Sequence, residues 1–387
     1  MKIAYVYHLD ADSPGVQSGR PFAILRGLID AQTVVLPAFP LGNTQVFSRA
    51  MRKLVARIRG ESYLSDREPQ LLRGFAQQVS RKLQGLEFDL VFSPSTLPLV
   101  YMETDKPLTI CADATFHSML DYYPSFTRLG RVQRQFSEDA ERYVLRRASV
   151  LIYPSKWAAE SAISHYGVEE ERVVVQPSGA NFGANNRRLD AIRWIEGRSP
   201  GEIRLLFVGK DWKRKGGDIA FDTMRILKDS GVTVRLDIVG CIPPEPAASH
   251  EKVVVHGLLS IGNETQRKRL ESLFVQAHFL IVPSRAEAYG MIFCEANAFG
   301  VPAISTDTGG ISTIIRDGIN GYKLPLEACA AEYAMLIDEI VGETDRYRTL
   351  AQSSFGEFES RLNWDNWIET YLKIASQIVA NRPSHSW

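Results

Sequence analysis

This chain of 387 residues has few cysteines and no excess of either charge, and both absences exclude classes of protein. Its four cysteines lie far apart, without the paired spacing of a structural zinc site or of a dense disulfide framework. A reducing, cytosolic setting is therefore expected. The 45 lysines and arginines balance the 45 aspartates and glutamates, which argues against a general nucleic-acid-binding protein, whose surface would be basic.

Long apolar runs, short repeats and low-complexity segments are missing as well. No apolar run approaches the length of about 20 residues that crosses a bilayer. Residues 1–8 are typical of a first strand rather than of a signal peptide. We therefore expect a soluble globular protein.

The length of the chain favours two domains of roughly 180 residues each. Short apolar runs alternate with stretches of helical period, which is the pattern of an α/β protein with parallel sheets and predicts two Rossmann-like domains. Residues 177–186 are rich in glycine and asparagine, as in a hinge, so we place the domains at 1–185 and 186–362. Apolar residues at helical spacing predict a terminal helix within residues 363–387. The predicted strands are residues 3–7, 33–36, 90–92, 108–111, 150–153, 173–175, 204–208, 234–239, 253–256, 279–282 and 303–306.

Residues 278–302 join a short apolar run to a glycine turn. The run 278–282 is typical of a strand buried on both faces of a parallel sheet, and a helix is expected after the turn. Ligands of open α/β sheets bind beyond the carboxyl ends of the strands, where backbone N–H groups can hold phosphate. Tyr289, Gly290 and Met291 are therefore candidate backbone donors.

The same block contains two carboxylates. Glu287 precedes the predicted helix, and Glu295 lies roughly 7 Å further along it at about 1.5 Å per residue. That offset is similar to the separation of a sugar ring from a ribose, which suggests a nucleotide-sugar site. Taken alone, two such carboxylates are also typical of a solvated helix face.

A second block, residues 205–218, places a glycine turn and a cationic loop after another apolar run. Gly209 begins the turn, and Lys210, Arg214 and Lys215 follow it. Fixed cations of this kind stabilise the charge of a leaving phosphate more than they stabilise the ground state. The alternative is a solvated surface loop.

A third block, residues 304–321, again follows a short predicted strand. Gly309 and Gly310 allow the backbone to approach a ligand closely. Asp317-Gly318 and Asn320-Gly321 are typical of tight turns that carry no chemistry.

Together the three blocks resemble the signature of glycosyltransferase family 4, whose members are retaining enzymes with the GT-B fold. The resemblance rests on Glu287 and Glu295 with seven residues between them, on the basic loop and on the double glycine. The family usually has arginine where this chain has Lys210. A lysine keeps the charge and loses the bidentate fork, so Arg214 is the alternative phosphate partner. The match covers most of the chain and is weakest over residues 40–88.

The resemblance implies two Rossmann-like domains facing a cleft, with the terminal helix crossing back to the first domain. It implies retaining, metal-independent transfer of a hexose from a nucleotide-sugar donor, a UDP- or GDP-sugar, without a cofactor. The hydroxyl acceptor would be a glycan, a lipid-linked sugar or a small molecule. Lys215, with Lys210 or Arg214, would stabilise the leaving diphosphate, while Glu287 would position the hexose and Glu295 the ribose.

The loop of residues 10–19 lacks the Gly-x-Gly-x-x-Gly fingerprint, so a nicotinamide dinucleotide is not expected. By resemblance, Gly19 lies near the diphosphate and the acceptor. Asp10 and Asp12 have the Asp-x-Asp spacing of the metal site in the other large glycosyltransferase fold. We interpret them instead as a carboxylate pair within a turn.

In the family, a histidine or an aspartate near the anomeric carbon follows the strand predicted here at 108–111. Two alignments compete, and they place Asp113 or His117 at that position. We favour Asp113, because it comes directly after the strand. His117 would otherwise be a histidine at a helix start with no ligand.

Residues 49–59 form a basic amphipathic segment. At 100° per residue its cations occupy one arc, and Met51, Leu54, Val55 and Ile58 lie opposite. Such a helix can dock on an anionic membrane. The alternative is a surface helix whose apolar stripe packs on the core.

Two other functions remain open at the level of the sequence. A sugar-nucleotide epimerase shares the architecture, but not the blocks around Lys215 and Glu287 in this form. A non-catalytic sensor of a sugar nucleotide would keep the ribose and phosphate contacts and release no nucleoside diphosphate.

Overall fold

The chain folds into two compact units, each built on a parallel sheet of six strands among the described residues. The computed structural model describes residues 1–42, 46–183, 187–199 and 201–381, except for the side chains of 46–49. The first unit comprises Met1–Gln176 and the chain from Trp367 onward, and the second comprises Pro177–Asn366. The predicted boundary near residue 185 lies outside the described residues. Phe182, just before it, is buried in the core of the second unit.

The first unit has the strand order β2-β1-β3-β4-β5-β6. Its central strands are apolar and fully buried, as expected when helices cover both faces of a parallel sheet. Its strands are β1 (Lys2–Val6), β2 (Val34–Ala38), β3 (Leu90–Ser93), β4 (Leu108–Cys111), β5 (Val150–Tyr153) and β6 (Val173–Val175). Its helices include α1 (Arg20–Asp30), α2 (Val46–Ile58), α3 (Pro69–Leu83), α4 (Phe116–Met119), α5 (Arg131–Arg147) and α6 (Lys156–Ser164).

The second unit has the strand order β12-β11-β10-β7-β8-β9. Its strands are β7 (Ile203–Val208), β8 (Val234–Val239), β9 (Val253–Gly257), β10 (Phe279–Val282), β11 (Ala303–Thr306) and β12 (Gly321–Leu324). Its helices include α7 (Arg188–Gly197), α8 (Gly217–Asp229), α9 (Glu264–Gln276), α10 (Met291–Asn297), α11 (Ile311–Ile314), α12 (Ala330–Gly342) and α13 (Thr344–Ser360).

The final helix, α14 (Trp364–Ala380), belongs to the first unit from Trp367 onward. The rings of Trp367 and Tyr371 pack edge-on against Phe92 of β3, with centroids 6.4 and 5.1 Å away. The hydroxyl of Tyr371 also lies 2.9 Å from Thr109 Oγ1 in β4. The chain therefore returns to its first sheet at its end, as predicted.

One strand, β12, was not predicted from the sequence. The sequence predicts a tight turn at Asn320-Gly321: Asn320 does lie in a turn, where it is buried and donates to Asn297 Oδ1 at 2.7 Å, but Gly321 begins the strand. A Cβ at position 321 would lie 1.9 Å from the carbonyl oxygen of Ala303. The glycine is therefore required by the close approach of two strands, while Gly318, with φ 75°, does lie in a turn.

The strand orders place one switch point in each sheet. The chain runs from β7 to β8 and β9 on one side and then starts β10 on the other side of β7. In the first sheet the same reversal separates β1 from β3. Ligands of open α/β sheets bind at the carboxyl ends of the strands beside such reversals. The fold thus indicates where functional side chains should be sought.

Candidate functional site

The reversal between β7 and β10 brings together the predicted cations and one predicted carboxylate. Lys215 follows β7, Glu287 follows β10, and Lys215 Nζ forms an ion pair with Glu287 Oε2. Arg214 Nη1 lies 3.9 Å from the same oxygen. The side chains of Lys215 and Glu287 are each 12% exposed. Two of the sequence blocks therefore converge on one half-buried cluster of charges.

Glycines allow the β7 loop to lie directly against the end of β10. Gly216 has φ 71°, and a Cβ there would meet the carbonyl oxygen of Pro283 at 2.0 Å. A Cβ at Gly209 would lie 2.9 Å from Lys215 Cγ. Because Gly216 has no side chain, the two loops can approach each other closely. Because Gly209 has none, there is room for the stem of Lys215.

A second layer of contacts, not predicted from the sequence, fixes these loops. The backbone N–H of Arg285 donates to the carbonyl of Arg214 at 2.7 Å. Asp218 accepts hydrogen bonds from Arg285 Nη1 and Lys213 Nζ, both at 2.8 Å. Burial tends to raise the pKa of Asp218, but these hydrogen bonds hold it below its ordinary value. The carboxylate therefore stays charged and ties the cationic loop to the loop after β10.

Lys210 and Arg214, the two candidates for binding phosphate together with Lys215, have different environments. Lys210 is exposed at the end of β7. Arg214 is three-quarters buried, and its Nη1 donates to the carbonyl of Ala286 at 2.9 Å. Its backbone N–H donates to Asp211 Oδ1 at 3.0 Å. Arg214 is thus the cation held beside Glu287.

Glu295 is the fifth residue of α10 and is buried. Its Oε1 accepts a hydrogen bond from Asn181 Nδ2 at 3.2 Å. Burial raises its pKa to about 7, although the hydrogen bonds from Asn181 and the charge of Lys215 act in the opposite direction. The alternative of a solvated helix face is wrong for this residue. Asn181 was missed, because only its place in a glycine- and asparagine-rich segment pointed to it.

The predicted helix after Gly290 is present as α10, and Met291 is its first residue. Gly290 has φ 99°, which favours glycine. The side chain of Tyr289 is buried and donates to the carbonyl of Ser178 at 2.9 Å. The Tyr289 ring thus anchors the turn.

The double glycine of the third block lies between β11 and α11. Gly309 has φ 55°, and the backbone N–H of Gly310 donates to the carbonyl of Glu287 at 3.0 Å. The third block therefore supports the loop that carries the catalytic candidate Glu287.

In the first unit, the edge of the sheet is organised by Arg20, which was not predicted from the sequence. Arg20 follows Gly19, whose φ is 82°, and begins α1. Its Nη1 donates to the carbonyl of Cys111 at 3.0 Å, its Nη2 to that of Pro94 at 3.4 Å, and its Nε lies 3.1 Å from Asp113 Oδ1. The side chain of Arg20 is 2% exposed and that of Asp113 is 44% exposed.

Burial disfavours the charge of Arg20, but Asp113 and neighbouring groups raise its pKa above the ordinary value. The buried cation therefore stays charged. It holds Asp113 at the carboxyl edge of the sheet with one face toward solvent.

His117 has a different environment from Asp113. It lies in α4, and its Nδ1 is 3.3 Å from Glu138 Oε1 on α5. Its ring stacks on that of His165, with centroids 3.4 Å apart. The structure thus gives the two competing candidates separate partners, and only Asp113 pairs with Arg20.

Asp10 and Asp12 form the expected pair within a turn. The backbone N–H of Asp12 donates to Asp10 Oδ1 at 3.0 Å, and Asp12 pairs with Arg26 of α1. Both interactions are local and exposed.

The amphipathic segment is helix α2. Met51, Leu54, Val55 and Ile58 are 43 to 78% exposed. The interpretation that this stripe packs on the core is therefore wrong, while Arg49 lies outside the described side chains. Within the described part of the chain, no helix combines the length and hydropathy needed to cross a bilayer.

Comparison with known proteins agrees with the geometry. A family model described as "Glycosyltransferase Family 4" matches residues 27–182, and one described as "Glycosyl transferases group 1" matches residues 202–342. The D-inositol 3-phosphate glycosyltransferase of Xylanimonas cellulosilytica is 24% identical over 261 residues, which cover 63% of this chain and 60% of that protein. The protein of the same name from Paenarthrobacter aurescens is 26% identical and covers 81% of this chain and 80% of its own length. The match to the Xylanimonas cellulosilytica protein thus spans about three fifths of that protein's length.

Solved structures share the architecture over nearly the whole chain. Sucrose-phosphate synthase from Thermosynechococcus elongatus superposes with a TM-score of 0.70 at 16% identity, covering 98% of this chain and 100% of that one. Anabaena HepE, solved in complex with UDP-glucose, gives 0.62 at 16% identity and covers 97% and 100%. These similarities establish the GT-B fold with its two Rossmann-like domains.

Proposed function

The chain belongs to glycosyltransferase family 4, and we propose that it is a retaining enzyme that moves a hexose from a UDP- or GDP-sugar to a hydroxyl acceptor. The observation that carries this proposal is the convergence of Lys215, Arg214 and Glu287 at the reversal between β7 and β10. The UDP-glucose complex of the similar HepE supports a UDP-sugar. The acceptor would be a growing glycan, a lipid-linked sugar or a small molecule.

The cationic pair would act on the leaving group. As the bond between the anomeric carbon and the phosphate oxygen breaks, negative charge grows on the diphosphate. Lys215 and Arg214 are already held in a half-buried site, where fixed charges stabilise that change without reorganisation. Because these side chains supply the positive charge, the proposed transfer uses no metal ion.

The acceptor oxygen would then form its bond to the anomeric carbon on the face that the diphosphate leaves. The acceptor proton passes to the departing phosphate oxygen, so that charge and atoms balance. In the first domain, we assign Asp113 to contact with the reacting sugar. Arg20 is its positioning residue, because it holds the carboxylate without reaching solvent.

The two glutamates would select the donor. Glu287 would accept hydrogen bonds from hexose hydroxyls once Lys215 turns toward phosphate, because the lysine has three donors on a flexible stem. Glu295 and Asn181 would hold the ribose, whose two hydroxyls can donate to a carboxylate. Backbone N–H groups of Gly290 and Met291 would bind phosphate oxygens.

Calorimetric titration tests this assignment directly. Purified protein is titrated with uridine, guanosine and adenosine diphosphates and their common sugar conjugates, beside Glu295→Ala and the control Glu264→Ala, which alters an exposed glutamate on α9. We expect one nucleotide class to bind wild type and the control but not Glu295→Ala. Absence of binding across the panel would contradict the proposal. Binding without release of nucleoside diphosphate in the presence of candidate acceptors would favour a sensor.

We also propose that helix α2 contacts an anionic membrane, which would place the protein at the cytoplasmic face. Its exposed apolar side chains lie on one face, and the exposed Arg52, Lys53 and Arg57 lie on the opposite arc, a combination that binds the interface of anionic lipids. Wild type should co-sediment with anionic but not with neutral liposomes. Leu54→Ser should weaken this binding, whereas Met335→Ser, at an exposed position of the second domain, should not. Equal recovery from both liposomes would refute the contact.

A further inference from the structure

A cluster of His117, Glu138 and His165 in the first domain is not used by the proposed transfer. One potential ligand atom from each residue lies within 4.8 Å of the other two. Glu138 bridges the pair, with its Oε1 3.3 Å from His117 Nδ1 and its Oε2 3.2 Å from His165 Nε2. Two imidazoles and one carboxylate are the ligand set of many zinc sites that keep a fourth position for water.

The spacing of these atoms fits one tetrahedral ion. With bonds of about 2.1 Å, the ligand atoms of a tetrahedral zinc ion lie about 3.4 Å apart. Both separations from Glu138 have this size. The carboxylate and either imidazole therefore already have the spacing of two vertices of the tetrahedron.

For the nitrogen of the second imidazole to reach the third vertex, one of the two rings must rotate. The rings of His117 and His165 are stacked, with planes 13° from parallel, so their in-plane lone pairs do not meet at one point. The side chain of His117 is 41% exposed, and solvent on one side leaves room for it to rotate. Binding of an ion would therefore separate the stacked rings while Glu138 keeps its place.

Neighbouring groups already orient the carboxylate. Tyr166 donates its hydroxyl hydrogen to Glu138 Oε2 at 2.8 Å, and its oxygen accepts from the backbone N–H of His117 at 3.0 Å. Arg142 Nη1 donates to the carbonyl of His165 at 3.3 Å. Hydrogen-bonded support of this kind is typical of metal ligands.

We propose that His117, Glu138 and His165 bind one zinc ion, with water as the fourth ligand. Imidazole and carboxylate together suit this metal. The ion would join α4, α5 and the residue that follows α6. Because α4 comes shortly after Asp113 in the chain, zinc would restrain the segment that leads away from the sheet edge. The ion takes no part in bond breaking.

Zinc titration of the chelator-treated full-length protein tests the proposal without any enzyme assay. Calorimetry should detect one equivalent of zinc for wild type and for Asp139→Asn, a carboxylate next to Glu138 on the same helix. Glu138→Gln and His165→Ala should lose this binding. Tyr166→Phe should weaken it about 10- to 100-fold, the usual effect of removing a group that supports a ligand.

A cobalt titration supplies a second readout. Cobalt bound to wild type should show the strong visible absorption of tetrahedral coordination, and His117→Ala, which changes a half-exposed side chain, should abolish it. Thermal melts establish that each variant is folded, and zinc should raise the melting temperature of wild type and Asp139→Asn but not that of Glu138→Gln, His165→Ala or His117→Ala. The proposal is overturned if wild type takes up no zinc, or if folded Glu138→Gln and His117→Ala bind it as wild type does. Any weak binding at the exposed Cys329 is common to all variants.

Discussion

The two sheets present an ion pair at comparable edges, but they bury it differently. In the first domain a cation that follows β1, Arg20, pairs with Asp113, and in the second a cation that follows β7, Lys215, pairs with Glu287. Arg20 is 2% exposed while its partner is 44% exposed. Lys215 and Glu287 are buried to the same extent, with each side chain 12% exposed. In the first pair only the arginine is buried.

This difference separates a positioning cation, Arg20, from a binding cation, Lys215. Arg20 is also bonded to the carbonyls of Cys111 and Pro94, so its guanidinium has no freedom to meet a ligand. Lys215 carries a compact ammonium on a flexible stem, which can exchange Glu287 for a phosphate. We therefore expect substitution of Arg20 to act mainly on stability and substitution of Lys215 to act mainly on turnover.

The largest expected effect is on the stability of the first domain. Arg20→Ala should lower its free energy of unfolding by about 3 to 5 kcal/mol, because two buried carbonyls lose the charged donor that they share. Arg26→Ala, which removes an exposed ion pair with Asp12, should cost about 1 kcal/mol or less. Urea denaturation of the variants measures both. Equal costs would show that burial does not distinguish these pairs.

Lys215→Ala tests the second edge. Turnover should fall about 100- to 1,000-fold, because one fixed stabiliser of the leaving diphosphate is removed. Lys228→Ala, which changes a surface lysine paired with Glu251, serves as the matched control. Initial rates of nucleoside diphosphate release report the effect. A change within about threefold for Lys215→Ala would mean that Lys215, like Arg20, only positions its carboxylate partner.

Much of the fold could be predicted from the sequence, because buried parallel strands are short apolar runs with a recognisable composition. The three motif blocks follow β7, β10 and β11, and the carboxyl ends of parallel strands meet at one edge. The sequence therefore predicts that Lys215 and Glu287 lie close together. Strand β12 was not predicted, because its first residue, Gly321, and the preceding Asn320 have the composition of a turn.

The partners of the site residues were harder to predict, since they come from distant parts of the chain. Arg20 is one basic residue at the start of an amphipathic helix, and no local pattern indicates that it is buried beside Asp113. Asn181 and Asp218 likewise depend on how loops pack. The exposed stripe of α2 shows the same limit, because periodicity predicts an apolar face without showing what covers it.

The pH dependence of stability should report the burial of Glu295. Burial raises the pKa of Glu295 to about 7 from an ordinary value of 4.5, so the folded state keeps a proton that the unfolded state loses between these values. Wild type should therefore lose stability as pH rises. Relative to Glu295→Gln, the loss between pH 5 and 8 should be about 2 to 3 kcal/mol.

Urea denaturation at several pH values measures this difference. Glu327→Gln, which alters an exposed carboxylate of the same domain, should follow wild type. If Glu295→Gln also follows wild type, burial does not hold a proton on Glu295 in the folded protein.

The smallest expected effect comes from comparing two cations of the loop after β7, Arg214 and Lys210. Arg214→Ala should lower turnover about 10- to 100-fold, since a hydrogen bond to a charged group contributes about 1.5 to 3 kcal/mol. Lys210→Ala should change turnover by no more than about threefold, as expected for an exposed substitution. Both variants remove one positive charge from the same loop, so the field of the loop is weakened equally. If the two rates are equal, net charge near the donor determines catalysis; if they differ as expected, the fixed position of Arg214 beside Glu287 does.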